Sequence, residues 1–145
     1  MAYQGFASGD LDEDAYAVRL FANAGINMIL AQSFAKNFGL YGERIGCLSF
    51  LTQSEEEKVA IQTNLEKLVR AEYSNPPKFG AIIVNNILSD EQLKKEWIEE
   101  LHMMATRIKE MRIALKQKLE EVGSKLNWDS IVNQRGMFAY TGLSP

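Results

Sequence analysis

Cysteine, histidine and proline are scarce in this chain of 145 residues, which has one cysteine, one histidine and three prolines. A single cysteine, Cys47, excludes a disulfide framework, so stability has to come from a packed core and a reducing compartment suits the chain. Cys47 lies in the apolar run 45–51 and reads as a buried thiol. The lone His102 has no histidine or cysteine partner, which argues against a zinc site, and no metal is expected. Positive charge is not in excess. The net charge is −3 and no basic patch is visible, which argues against a nucleic-acid partner. No apolar run is long enough to span a membrane. The first residues carry neither the apolar core of a signal peptide nor an arginine-rich transit pattern. The acidic pI of about 5.3 leans towards a cytoplasmic protein, with an organellar parent left open.

What is present is ordinary globular material, 46% hydrophobic and 24% charged, at a length that supports one domain with a real core. Asp10-Leu-Asp-Glu13 has the form of a capping box, Asp10 as N-cap and Glu13 reaching back. It predicts a helix to about residue 24 that buries Leu11, Ala15, Val18, Phe21 and Ala22 and stops at Gly25. Residues 26–33 read as a strand. Its Met28, Ile29, Leu30 and Ala31 lack polar alternation, as expected when both faces are covered. Residues 45–51 read as a second strand. Thr52-Gln-Ser-Glu55 reads as another capping box, opening a helix over about 54–72 with the stripe Ile61, Leu65, Leu68 and Val69. Pro76 and Pro77 end that segment.

Residues 79–88 read as a short helix, with a strand as the rival reading. From Ser89 to about Gly123, apolar residues recur every three or four positions, from Leu93, Trp97 and Leu101 to Leu115, Leu119 and Val122, which predicts one long helix. Its methionines read as core fillers. Residues 127–132 make a short helical turn and 136–140 begin a strand. Ser144-Pro145 has the form of a cap and first turn of a further helix.

Between the two strands lies Ser33-Phe-Ala-Lys-Asn-Phe-Gly-Leu-Tyr-Gly-Glu-Arg-Ile-Gly46. Residue by residue it is open to plain readings. Lys36 is then a surface lysine, Arg44 a partner for Glu43, and Ser33 a strand-end hydroxyl. Elsewhere Arg70 offsets a helix dipole and Tyr3 is loop packing. As a whole, however, the stretch resembles the cofactor-lysine segment of aspartate aminotransferases, enzymes of the type I fold that use pyridoxal phosphate (PLP). The likeness runs from Tyr3-Gln-Gly-Phe-Ala-Ser-Gly9 to Gly136-Met-Phe-Ala-Tyr-Thr-Gly142, although the chain is much shorter than such an enzyme.

The resemblance implies an α/β fold: a partial PLP-binding large domain over 1–88, with two core strands and flanking helices; a long interdomain helix over 89–124; and the start of an α+β small domain over 125–145. It implies that Lys36 is the Schiff-base lysine and proton carrier. Arg44 and Ser33 would hold the cofactor phosphate, and Tyr3 its phenolic oxygen. Arg70 would reach into a neighbouring subunit to pair with the side-chain carboxylate of a dicarboxylate, and Phe138 would lie near the substrate. The chemistry suits these residue types. A lysine among apolar neighbours and near Arg44 has its neutral, nucleophilic form favoured, and a guanidinium grips a phosphate with paired hydrogen bonds. Gly39 and Gly42 let the loop turn sharply.

The activity implied is amino transfer between L-aspartate and 2-oxoglutarate, giving oxaloacetate and L-glutamate, in a homodimer. The family aspartate that pairs with the pyridine nitrogen would precede Met1. The ring-stacking aromatic, the Ser-Gly-Thr type phosphate loop and the arginine for the substrate α-carboxylate also have no counterpart here. The alternative expectation is therefore a catalytically incomplete dimerisation or interaction segment. The strands, alone, would expose apolar faces and unpaired edges, which predicts self-association or binding to a fuller subunit.

Overall fold

In a computed structural model describing residues 1–142, the elements in chain order are helices α1 (Leu11–Asp14) and α2 (Tyr16–Asn23), strands β1 (Ile29–Ser33) and β2 (Gly46–Phe50), and helices α3 (Glu55–Glu72), α4 (Phe79–Ser89), α5 (Glu91–Glu121) and α6 (Asp129–Asn133). They divide into two compact units. The first comprises Met1–Ala2 and Ala17–Ser89, and the second Tyr3–Tyr16 with the chain from Asp90 on. The Ser144-Pro145 expectation lies outside the described residues.

In the first unit β1 and β2 pair antiparallel, with Ile29 opposite Phe50 and Ser33 opposite Gly46. The Phe34 N–H donates to the Ile45 carbonyl (3.0 Å) and the Leu51 N–H to the Met28 carbonyl (3.1 Å), carrying the ladder past both ends. Gly46 makes this register possible, because a Cβ there would lie 2.3 Å from the Gln32 carbonyl oxygen. The Met1 amino group donates to the Ala31 carbonyl (2.8 Å), and the Ser33 N–H donates to the Met1 carbonyl (3.0 Å), lining the outer side of β1.

The expected cover on both strand faces is not found: Ile29 is 66% and Leu48 53% exposed, and Cys47 is exposed rather than buried. Apolar continuity shows that a strand can be buried, but the covering layer has to come from elsewhere, and the described residues cover the strands only in part, leaving Leu30 and Phe50 half-buried. The helix α3 is capped by Ser54, whose Oγ accepts from the Glu57 N–H (3.1 Å), while Glu57 accepts from the Gln53 N–H (2.7 Å). The N-cap is therefore Ser54, two residues beyond the expected Thr52, and Glu57 reaches back past it to Gln53. Of the α3 stripe, Ile61, Leu65 and Val69 are half-buried and Leu68 is exposed. Residues 79–89 form helix α4, so the rival strand reading falls away. Its Gly80 is buried; a Cβ there would come 3.0 Å from Ile45 Cβ and 3.1 Å from Glu43 Cβ.

The second unit is built on α5. Asp90 caps it, accepting from Gln92 and Leu93 N–H (2.9 Å each). Leu101 and Ala105 are fully covered, with Phe6, Trp128 and Ile131 as further buried residues. Burying a leucine side chain contributes about 2 kcal/mol. Trp128 stays satisfied while buried because its indole N–H donates to Ser124 Oγ (3.0 Å). Much of the predicted apolar stripe stays open: Met104, Met111, Leu115 and Val122 are exposed.

Further local expectations differ. The first helix breaks at Ala15, between α1 and α2. Asp10 caps it as expected, but Glu13 does not reach back. Asp10 N–H donates instead to Ser8 Oγ (3.0 Å) and Glu13 pairs with Arg135 (2.7 Å). Of the residues expected to be buried by this helix, Phe21 is 47% exposed. Residues 136–140 are not a strand. A strand needs a neighbour, and here the Gln134 side-chain amide takes that place. It accepts from the Tyr140 N–H and donates to the Tyr140 carbonyl (2.8 Å each), satisfying both backbone groups without a sheet.

Candidate active site

The loop from β1 to β2 carries the predicted lysine. Ser33 ends β1, and its Oγ accepts from the Ala35 N–H (3.2 Å), which starts the turn. Ala35 and Asn37 are buried on either side of Lys36, so the backbone at the lysine is fixed while the side chain is only half-covered. The Phe34 and Phe38 rings meet edge to face at 5.4 Å, closing the loop upon itself. The Gly39 N–H donates to the Lys36 carbonyl (3.1 Å), and Gly39 has φ +66°, a conformation glycine adopts without a steric penalty. Gly42 needs no such conformation. The second left-handed position is Arg44 itself, at φ +51°, and a non-glycine residue held there stores on the order of 1 kcal/mol of strain.

Lys36 and Arg44 both meet Tyr41. Lys36 Nζ stands 4.1 Å from the centre of the Tyr41 ring, and Arg44 Nη1 donates to the Tyr41 carbonyl (3.2 Å). One loop therefore offers an amine, a guanidinium and, at its start, a hydroxyl. This donor set matches an aldehyde-bearing phosphoester: the amine for the aldehyde, and the cation and hydroxyl for the phosphate. In that chemical sense the residues fit PLP. Tyr41 was not singled out in the sequence; an aromatic placed between two cations of one loop was the available signal.

The other predicted residues lie elsewhere. Arg70 is exposed in the last turn of α3 and donates to the Ser74 hydroxyl, which is its local use. Tyr3 and Phe138 belong to the second unit, where they are brought together, ring edge to face at 6.2 Å, with Phe138 81% exposed. A cleft of about 550 Å³ opens in this unit beside Lys109, Arg112 and Arg135, and none of the predicted site residues lines it. Arg112 is held there by the Gln134 and Gly136 carbonyls (2.8 and 2.5 Å). Among the described residues there is no cluster of metal-ligating side chains and no helix long and apolar enough to cross a membrane.

Residues 1–145 match the family description "Aminotransferase class I and II". The chain belongs to this family. The mitochondrial aspartate aminotransferase of Schizosaccharomyces pombe is 53% identical over 146 residues, covering 100% of this chain and 33% of that protein. The Arabidopsis thaliana mitochondrial enzyme is 49% identical over 145 residues, again covering the whole chain and 34% of the relative. This family member therefore spans about a third of the length of the curated relatives it matches.

Among solved structures, a mitochondrial aspartate aminotransferase from Trypanosoma brucei superposes with a TM-score of 0.96 at 48% identity, over 99% of this chain and 38% of that one. An aromatic-amino-acid aminotransferase from Burkholderia pseudomallei, covalently bound to pyridoxal phosphate, superposes at 0.95 with 43% identity, over 99% and 36%. The α/β arrangement of two strands and flanking helices is thus part of the aminotransferase fold.

Proposed function

We propose that the chain is part of an aspartate aminotransferase, acting with PLP on L-aspartate and 2-oxoglutarate to give oxaloacetate and L-glutamate. The observation that carries the proposal is the convergence of Lys36 and Arg44 on Tyr41, in a loop that Ser33 opens, within a chain of the aminotransferase family. When bound, PLP supplies an aldehyde that captures an amine and a ring that draws electrons from the substrate α-carbon. Lys36 Nζ would be the amine for that aldehyde and the group that moves a proton to and from the substrate α-carbon. Arg44 and Ser33 would hold the phosphate, and Tyr3 would donate to the phenolic oxygen. Arg70 selects a dicarboxylate, and in a homodimer it does so for the neighbouring subunit. Phe138 lines the substrate's surroundings. The partition into a large-domain part (1–88), an interdomain helix (89–124) and the start of a small domain (125–145) belongs to the same proposal.

The dicarboxylate preference rests on Arg70 and on the names of the relatives, since structural neighbours also include aromatic-amino-acid enzymes. For the compartment, the relatives' names include both mitochondrial and cytoplasmic enzymes. The cytoplasmic assignment rests on the acidic pI alone.

A second reading is favoured by the open faces of β1 and β2. In it the chain is catalytically incomplete and acts through association with another copy or a fuller subunit. One experiment separates the two. PLP is added to the purified chain, borohydride fixes any adduct, and peptide mapping locates it. A visible band fixed on Lys36 and absent in Lys36→Ala supports cofactor binding, and transamination of aspartate faster than by free PLP supports the enzyme. A band without turnover supports the second reading, and label spread over many lysines defeats both assignments of Lys36.

A further inference from the structure

Asp14, the last residue of α1, has no part in the reading above. Its carboxylate gathers four hydrogen bonds from one turn. Oδ2 accepts from the Gly5 N–H (2.7 Å) and the Ala7 N–H (3.0 Å), and Oδ1 accepts from the Ser8 N–H (3.0 Å) and the Ser8 hydroxyl (2.7 Å). Amides converging on a carboxylate make strong, charge-assisted bonds. All four bonds run outside α1, to the neighbouring turn.

That turn is also seated on α5. Gly5, at φ +94°, leaves no room for a side chain, since a Cβ would lie 2.3 Å from Leu101 Cδ2. Phe6 is buried, and the Gly9 carbonyl lies 3.1 Å from His102 Nδ1. Tyr3 hangs from the start of this turn. The Phe6 N–H donates to its carbonyl (2.9 Å) and its ring meets Phe138 edge-on. Tyr3 is half-buried, and its backbone is held by the turn while its ring touches Phe138.

We infer that Asp14 is a positioning residue for Tyr3: it ties the 3–8 turn to α1, so that the tyrosine hydroxyl would be presented to the cofactor's phenolic oxygen. This rests on the role proposed for Tyr3. Without Asp14, three backbone N–H groups lose their acceptor and the turn is free to rearrange, and Tyr3 moves with it.

The test uses Asp14→Asn, Asp14→Ala, Tyr3→Phe and the Asp14→Asn/Tyr3→Phe double variant. Two readouts need no cofactor: hydrogen exchange at the Gly5, Ala7 and Ser8 amides, and the nuclear Overhauser contact between the Tyr3 and Phe138 rings. The third is PLP affinity from its visible band. Both Asp14 variants are expected to lose amide protection and the ring contact while Leu101 and Trp128 keep their native signals. Asp14→Asn is expected to weaken PLP about tenfold alone, but less than about twofold when Tyr3 is already phenylalanine, since residues acting through one group are not additive. Persistence of the ring contact in both Asp14 variants would overturn the inference, as would effects of Asp14→Asn and Tyr3→Phe that simply multiply. If Tyr3→Phe binds PLP like the parent, or the parent does not bind it, the role proposed for Tyr3 fails instead, and the exchange and ring-contact readouts still decide whether Asp14 places the tyrosine.

Discussion

The two compact units treat their apolar residues differently. The second seals Leu101, Ala105, Trp128, Ile131 and Phe6 within itself, and its loops are tied down by side chains: Asp14 to the 3–8 turn, Gln134 to Tyr140, Arg112 to two carbonyls. The first buries Ala35, Gly80 and Val84 while a two-stranded sheet stands open with Ile29 and Leu48 exposed. A two-stranded sheet is marginal in water unless something packs on it. The unit that carries the amine is thus the one with fewer buried apolar side chains, and the unit that carries Tyr3 the one with more.

The contrast can be broken most severely at Leu101. Leu101→Ala removes the fully buried centre of the second unit, and a cost of about 2–5 kcal/mol is expected in denaturant unfolding followed by Trp128 fluorescence. A cost near that of a surface change would mean that the second unit is no better packed than the first.

Gly46→Ala comes next. Its Cβ would meet the backbone oxygen of Gln32, which no rotamer relieves. The β1–β2 register should slip or open, so exchange protection of the strand amides and selective PLP labelling of Lys36 should be lost together, with Trp128 in the second unit unaffected. Retained protection would show that the strand pair tolerates what the geometry forbids.

A smaller effect is expected from the ion pair joining α5 to α6, Lys116 to Asp129 at 2.5 Å. The hydrogen bond from Lys116 holds the Asp129 carboxyl below its ordinary 3.8. The hydrogen bond to Asp129 raises Lys116 above its ordinary 10.5. The aspartate's contribution is therefore present above its unfolded value and lost as pH falls through the lower folded one. The lysine's contribution is present below its unfolded value and lost as pH rises through the higher folded one. Docking of α6, followed by the Trp128 indole resonance, should be flat between these limits and weaken only in strong acid or strong base. Loss of docking near neutral pH would show that the pair is not what holds α6.

The smallest effect is expected on the open sheet. Leu48→Gln should change unfolding stability by no more than about 0.5 kcal/mol, as surface substitutions do. It should lower apolar-dye binding and self-association. Cys47, exposed on the opposite face of β2, should react readily with a thiol reagent in the native state. A costly Leu48→Gln would mean that something covers the Leu48 face in solution, and a protected Cys47 the same for the opposite face, since neighbouring residues of β2 point to opposite sides.

Much of the local structure was legible in the sequence because its signals are local. Asp10 and Asp90 cap helices by their own side chains, the apolar period marks α5, Pro76 and Pro77 close the α3 segment, and the Ser33–Gly46 stretch is specific enough to point to the aminotransferase family. Tertiary structure decided what depends on distant partners. It exposed Cys47 and the strand faces, turned Glu13 towards Arg135, replaced the expected 136–140 strand by the Gln134 side chain, and turned Asp14 to the 3–8 turn. A sequence shows which backbone and side-chain groups need a partner. Which partner each one finds depends on what the fold brings within hydrogen-bonding or van der Waals reach.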